Sequence, residues 1–441
     1  MVAPARRIAT RVLHRIEHDD AWAAPTLDAE LRRSSSSRID AALATQIVYG
    51  VLRVLPALDA AIKQHASRPL RVDAWTHAAL LGGTFQLLHL GRVPSHAVVN
   101  DTVDLVREKR GTRVAGFANA ILRKIAATRP QDPQLPSKLV VPPWLDRALQ
   151  DSIGADHTEA LLRLEEDATS IDLRLRADAD PDEVAASIRA ARPGALVAPT
   201  ALSSRGLRVS GGGDLRALET FVRGDFAVQE EGAQLVGELL GALPGERVLD
   251  ACAGRGGKTA QLIEAVGPSG TVVATDLHEH KLLQIPDELE RLRLNAPSLE
   301  RACVDWTMGP GNVSGLFDRV LVDAPCTGLG TLRRRPEILL RIGSDDAAQM
   351  GQTQRLILEH AAARVRPGGT LLFAVCSPLR EEGTRVAERA DLSGFELASS
   401  HSFGSKSLPF ASSPPFDFGP WVPGSGPWAD AYQIQVWVYV G

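Results

Sequence analysis

At 441 residues and 47.2 kDa the chain is too long for one ordinary domain, and 44% hydrophobic against 23% charged residues is the balance of a folded chain, not a disordered one. No run of roughly 18 or more apolar residues suggests a membrane span, and the opening MVAPARRIATRVLHRIEHDD is too charged for a signal peptide, so a cytoplasmic protein is expected. The net charge of −4 hides an asymmetry: residues 1–130 carry 19 Lys+Arg and 11 Asp+Glu, net +8, leaving −12 for the rest, as if a basic module able to hold phosphates were joined to an acidic one.

The first 130 residues read as helical. Ile8, Val12, Leu13 and Ile16 repeat at helix spacing, the SSSSR run at 34–38 caps a second apolar series from Leu43 to Leu58, and Trp75 to Leu90 is a third segment, interrupted by Gly82 and Gly83. Val98–Val106 and Phe117–Ile125 are further helices on either side of the charged stretch 107–113. An all-α bundle of five to seven helices is expected over 1–130. Pro130, Pro133, Pro136, Pro142 and Pro143 then mark a linker, and 131–220 reads as linker plus a small α+β subdomain: IDLRLRA at 171–177 alternates like a half-buried strand, Asp180 caps a helix opening with Pro181, and LRV at 207–209 suggests another strand. From 221 to 441 short apolar strands alternate with helices: RVLD at 247–250, TVVATD at 271–276, RVLVDAP at 319–325 and TLLFAVCS at 370–377. These predict a parallel, doubly wound α/β sheet covered on both faces. AYQIQVWVY at 431–439 would close it as a final antiparallel strand, after a proline- and glycine-rich stretch at 401–430 expected to be mostly loop.

Behind RVLD250 lies A-C-A-G-R-G-G-K-T at 251–259. Its glycines let the backbone approach a ligand, and the helix beginning near Lys258 offers free amides. The loop matches neither a Walker loop nor GxGxxG. Asp276, 26 residues after Asp250, ends the next strand where a carboxylate can accept from ribose hydroxyls, and Asp305 lies where it could reach an adenine amino group. The residues alone leave three options: an S-adenosylmethionine site, which needs no phosphate pattern, a generic Rossmann-like domain, or a phosphate-nucleotide binder.

Four cysteines, Cys252, Cys303, Cys326 and Cys376, form neither a disulfide framework nor a C-x-x-C metal site, and no metal is expected. Cys326 in DAPCTG and Cys376 in VCS each follow an apolar strand, so both should face one crevice at the strand ends. A thiol pair there suits methylation at C5 of cytosine, a carbon too poor a nucleophile to react unaided. A thiolate adds to C6, C5 takes the methyl, a base removes the C5 proton, and the thiolate leaves. Asp323 is placed to help near N3, and Arg333, Arg334, Arg335 or the sulfonium of a methyl donor could supply a field favouring thiolate.

These segments together resemble the Sun/NOL1/NOP2 family of RNA cytosine-5 methyltransferases, in particular its bacterial branch acting on 16S rRNA, with an N-terminal domain similar to NusB. The resemblance spans nearly the whole chain: IVYGVLR at 47–53, LLGGTFQLLHLGRVPSHAVVNDTVDLV at 80–106, GFANAILRKI at 116–125, FAVQEEGAQLV at 226–236, DACAGRGGKT at 250–259 and DAPCTGLGTLRRRPEI at 323–338. It implies an RNA-binding NusB-like bundle, a Rossmann-like methyltransferase domain, S-adenosylmethionine as cofactor and RNA, expected to be small-subunit rRNA, as partner. It also implies a cofactor site of Ala253, Gly254, Arg255, Gly256, Gly257, Lys258, Asp276, Lys281, Asp305 and Asp323, with Cys376 as nucleophile and Cys326 in product release. Three departures stand out: Arg255 where the family has proline, Gly383 where it usually has asparagine, and DAYQIQVWVYV in place of the DGFFxAxL ending. They keep open a weak or inactive RNA-binding assembly factor and a tRNA cytosine-5 methyltransferase.

Overall fold

The computed structural model describes residues 2–34, 36–66, 72–164, 170–294, 299–403 and 430–441; most of the proline- and glycine-rich stretch, 404–429, lies outside them. The chain gathers into two compact units, one of Met1–Pro143 with Leu162–Glu166 and Leu332–Ile342, the other of Trp144–Leu161, Asp167–Thr331 and Gly343–Gly441.

The first unit is helical: α1 (Pro4–His18), α2 (Ala23–Ser34), α3 (Arg38–His65), α4 (Ala74–His89) and α5 (Ser95–Ala127). Pro4 opens α1 where a missing N–H costs nothing, and Ile8, Val12, Leu13 and Ile16 form its buried stripe. Ser37 caps α3 by accepting from Asp40 N at 3.1 Å, and Asp73 caps α4 by accepting from the amides of Trp75 and Thr76. By length and composition α3 could cross a membrane, but its Ala44, Ile47, Val48, Val51, Leu58 and Ile62 pack into the bundle core, which accounts for its apolarity.

Two expectations change. Gly82 and Gly83 do not interrupt α4; a Cβ on Gly83 would lie 2.9 Å from Thr102 Oγ1 and 3.1 Å from Leu122, so this glycine lets α4 and α5 approach closely. The charged stretch 107–113 is not a connecting loop. Helix continues through it except at Gly111, whose φ of +76° makes a kink. The unit also takes in 332–342, where a short 3₁₀ turn (Pro336–Leu340) is buried at Pro336, Glu337 and Ile338. Ala23 N, at the start of α2, donates to Glu337 Oε1 at 2.9 Å, and the Arg341 guanidinium donates to Ala21 O at 2.7 Å while lying 4.5 Å from the Trp22 ring centre.

The second unit begins with α6 (Pro143–Ile153) and α7 (Ala155–Leu162) and holds two sheets. The small one contains β1 (Ile171–Leu175), β2 (Leu196–Pro199), β3 (Gly206–Ser210) and β4 (Phe226–Val228), antiparallel in the order β2-β3-β1-β4, with α8 (Pro181–Ala191) and α9 (Glu219–Val222) between strands. Asp180 accepts from Asp182 N at 2.9 Å, and Pro181 stands at the first turn of α8, as expected.

The large sheet follows α10 (Glu231–Leu240). It comprises β5 (Arg247–Asp250), β6 (Thr271–Asp276), β7 (Leu299–Cys303), β8 (Phe317–Asp323), β9 (Val365–Val375), β10 (Phe395–Phe403) and β11 (Tyr432–Tyr439) in the order β10-β11-β9-β8-β5-β6-β7. Pairs from β7 across to β9 are parallel, while β11 runs antiparallel to both β9 and β10. One face packs with α10, α11 (Gly257–Val266), α12 (Glu279–Leu282) and α13 (Ile285–Arg291); the other with α14 (Asp346–Ala362) and α15 (Thr384–Arg389). Strand order reverses between β8 and β6 at β5, so the loops after β5, β6, β8 and β9 share the edge where doubly wound sheets bind ligands.

Candidate active site

The glycine loop is built for close approach. Gly254 and Gly256 have φ of +57° and +85°, where other residues are strained. A Cβ on Gly256 would lie 2.8 Å from Ile285, whereas Gly254 and Gly257 face open space within 4 Å. Ala253 N donates to Thr275 O at 2.8 Å, tying the loop to β6. Gly254 N donates to Asp276 Oδ2 at 3.0 Å, while Asp276 Oδ1 accepts from His278 N at 2.8 Å and lies 3.3 Å from Lys281 Nζ. Asp276 and Lys281 are therefore joined in one cluster. Arg255 is exposed, with no hydrogen bond or ion pair among the described residues. Asp305 is also exposed, and its Oδ1 accepts from Thr307 N at 2.9 Å and Thr307 Oγ1 at 2.6 Å.

Asp250 is 1% exposed. Its Oδ2 accepts from Thr259 Oγ1 at 2.7 Å, but Oδ1 has no partner. Burial pushes its carboxyl up to about 7, against the Thr259 hydrogen bond, and Asp323 adds to the rise. Beside it, Lys258 Nζ and Asp323 Oδ2 are 2.6 Å apart. Burial works against the Lys258 charge, yet Asp323 holds the ammonium above its ordinary value, with a further contribution from Cys376.

The two thiols meet at this edge, with Cys326 Sγ and Cys376 Sγ 3.3 Å apart. The Cys326 thiol is pushed well above its usual range by its hydrogen bond to Cys376, then by burial and by the charges of Cys376 and Glu382. Cys326 follows β8 and Cys376 follows β9, neighbouring strands whose register places Asp323 opposite Ala374. The arginines at 333–335 lie in the segment that clusters with the helical unit, and Lys258 and Lys281 are cations within the second unit's site.

Two site residues escape sequence reasoning. Glu382, fully buried, accepts from Thr327 N at 2.6 Å, Thr327 Oγ1 at 2.5 Å and Ser377 Oγ at 2.5 Å. Its neighbour Glu381 pairs with Arg385 on the exposed side, and nothing in the adjacent acidic pair tells the two apart. Gln433, on β11, donates from Nε2 to Ser377 O at 2.8 Å and Leu379 O at 2.9 Å, and accepts from Thr384 N at 3.1 Å. A Cβ at residue 383 would lie 2.2 Å from Gln433 Oε1. Gly383 and the divergent ending thus form one arrangement, in which Gln433 occupies the side-chain space above the glycine and holds the loop after Cys376.

The description "16S rRNA methyltransferase RsmB/F" fits a family model matching residues 238–403, and a NusB family model matches 3–127. The chain is 32% identical over 402 residues to the ribosomal RNA small subunit methyltransferase B of Pseudomonas putida, covering 86% of this chain and 87% of that protein. The counterpart in Xanthomonas campestris is 33% identical, over 87% of this chain and 86% of its own length. Among solved structures, PH0851 has a TM-score of 0.78 at 22% identity, covering 99% of both chains. NSun6 from Pyrococcus horikoshii, solved with SFG, has a TM-score of 0.55 at 15% identity, covering 68% of this chain and 98% of its own. These structural likenesses support the fold.

Proposed function

The chain belongs to the 16S rRNA methyltransferase RsmB/F family, and from that premise we propose that it transfers a methyl group from S-adenosylmethionine to C5 of a cytosine in RNA, with small-subunit rRNA as substrate and a bond between Cys376 and C6 as intermediate. The observation that carries this proposal is the 3.3 Å pair of sulfurs beside the Lys258–Asp323 ion pair.

The cofactor fits the residues present. Gly254 and Gly257 leave open space beside the loop, and Asp250 Oδ1 is a buried acceptor without a donor. Asp276 would take the ribose hydroxyls, sharing lone pairs already used by Gly254 N and His278 N, and Asp305 would face the adenine amino group. Bound there, S-adenosylmethionine supplies an electrophilic methyl group. The protein activates the base. The Cys376 thiolate bonds to C6, and the C5=C6 electrons become available at C5 to form the new C–CH₃ bond. Asp323, held by Lys258, accepts from the amino group of the cytosine, and from N3 once N3 takes up a proton during the addition, and so favours the addition. The C5 proton then passes to a base, the C6–S electrons restore C5=C6, and Cys376 leaves as thiolate. Cys326, touching Cys376, serves this release. The target base leaves its stack to enter the crevice, and the basic helical unit holds the surrounding RNA backbone.

RNA carrying 5-fluorocytosine at the target has no C5 proton to release, so wild type should form a covalent, donor-dependent adduct visible as a shifted band on a denaturing gel. Cys376→Ala should abolish the adduct, and Cys326→Ala should let adduct accumulate even on ordinary cytosine. Trapping by Cys376→Ala but not by Cys326→Ala would invert the two roles.

A further inference from the structure

We propose that Glu382 is a positioning residue that sets the two sulfurs against each other and keeps their shared proton on Cys326, leaving Cys376 as the attacking thiolate. The proposal rests on the assignment of Cys376 as nucleophile and adds the device that makes two chemically identical side chains unequal.

The geometry is specific. Thr327 directly follows Cys326, and Ser377 directly follows Cys376. One carboxylate accepts from both residues, so the turns bearing the sulfurs are tied through a single side chain. Two further contacts hold the same turns: Gln354 Nε2 donates to Pro325 O at 2.8 Å, and Gly330 N donates to Cys376 O at 2.9 Å. Sulfurs 3.3 Å apart can share one proton, and nearby charge decides which keeps it. Cys326 holds its proton chiefly through its hydrogen bond to Cys376 and through burial, and the negative charge of Glu382 adds to that hold, while the Lys258 ammonium interacts with Cys376. The field across the pair therefore has a direction. A buried carboxylate is a costly way to fasten two turns, since burial raises the Glu382 carboxyl, and three aligned donors offset that cost. A neutral glutamine could fasten the turns by accepting from Thr327 N and donating to the two hydroxyls, but would lack the field.

That difference defines the test. Full-length wild type, Glu382→Gln and Glu382→Ala are treated with iodoacetamide, and alkylation at each cysteine is timed by mass spectrometry. In parallel, methyl transfer to an unmodified 16S rRNA transcript gives kcat and KM, and calorimetry gives donor affinity. Wild type should be alkylated at Cys376 roughly 10-fold or more faster than at Cys326. Glu382→Gln should bring that ratio to within about 3-fold and lower kcat about 10-fold, with RNA KM and donor Kd within about 2-fold of wild type. Glu382→Ala, which also frees the turns, should lower kcat further. If wild type reacts first at Cys326, the nucleophile assignment itself fails, whatever the variants do. If wild type prefers Cys376 and Glu382→Gln keeps both the preference and kcat, Glu382 has no such role and the proposed function stands. A Glu382→Gln protein whose donor affinity and melting transition fall together with kcat would show a purely structural role and overturn the proposal. If that variant cannot be purified, Glu382→Asp, which keeps the charge but draws it back from the two turns, carries the same alkylation test, and a wild-type ratio with wild-type kcat there overturns it too.

Discussion

Beside the small sheet, Arg208 donates to Asp172 at 2.8 and 3.0 Å and to Glu231 at 3.1 Å, and Arg174 pairs with Glu264 at 2.6 Å. Asp172 also accepts from Glu231 N at 3.1 Å, and Glu231 from Ser203 N at 3.2 Å. At the edge of the large sheet in the same unit, Asp250 keeps one oxygen without a donor, and Gln354 Oε1 is likewise unmatched. Both regions bury charge. In the first every charged group is paired within the cluster, which acts as a fastener, whereas in the second the buried Asp250 carboxyl has one oxygen matched only by Thr259 and the other unpaired, beside the glycine loop.

The difference can be broken at several points. Arg208→Ala strands two buried carboxylates and should cost about 3–5 kcal/mol in urea unfolding; a loss below about 1 kcal/mol would mean that cluster is not closed. Asp250 behaves in the opposite sense. Its folded-state carboxyl, raised to about 7 from an ordinary 3.8, binds a proton that the unfolded chain has released between those values. Its contribution is therefore greatest below pH 4 and is lost as pH rises towards 7, at no more than about 1.4 kcal/mol per pH unit. Asp250→Asn should flatten that slope in denaturation curves taken across the window while weakening donor binding; an unchanged slope would count against a buried, unfinished carboxyl.

Gly383→Ala pushes a methyl into Gln433 and should cost about 1–3 kcal/mol, with part recovered in Gly383→Ala/Gln433→Ala, as a double-mutant cycle would read. Strict additivity would separate the two positions. The smallest effect is expected at Glu381→Gln, whose exposed pair with Arg385 is worth under about 0.5 kcal/mol in the same unfolding assay.

Much of this was legible because it is local. Apolar runs ending in Asp250, Asp276 and Asp323 mark strand ends directly, and β6 occupies the six residues expected, Thr271–Asp276. The caps at Ser37 and Asp180 follow from side-chain chemistry within three residues. What stayed hidden depends on distant partners. Gly83 resembles a helix breaker until Thr102 and Leu122 pack over it. β10, FELASSHSF, carries polar residues at most positions because it is the edge strand of the sheet, and it has no apolar run to announce it. In the site, spacing brought Cys326 and Cys376 to one edge, but it could not separate Glu382 from Glu381 or show that Lys258, seen as part of the glycine loop, reaches across to Asp323.

The segment 332–342 has a practical consequence for anyone dividing the gene. It begins six residues after Cys326, yet Glu337 caps α2 and Arg341 binds Ala21 O in the helical unit. A fragment starting near residue 144 would carry these eleven residues with their acceptors and donors deleted, baring Leu332 and Ile338 to water. A soluble catalytic half would require rebuilding that strip or co-expressing the missing half.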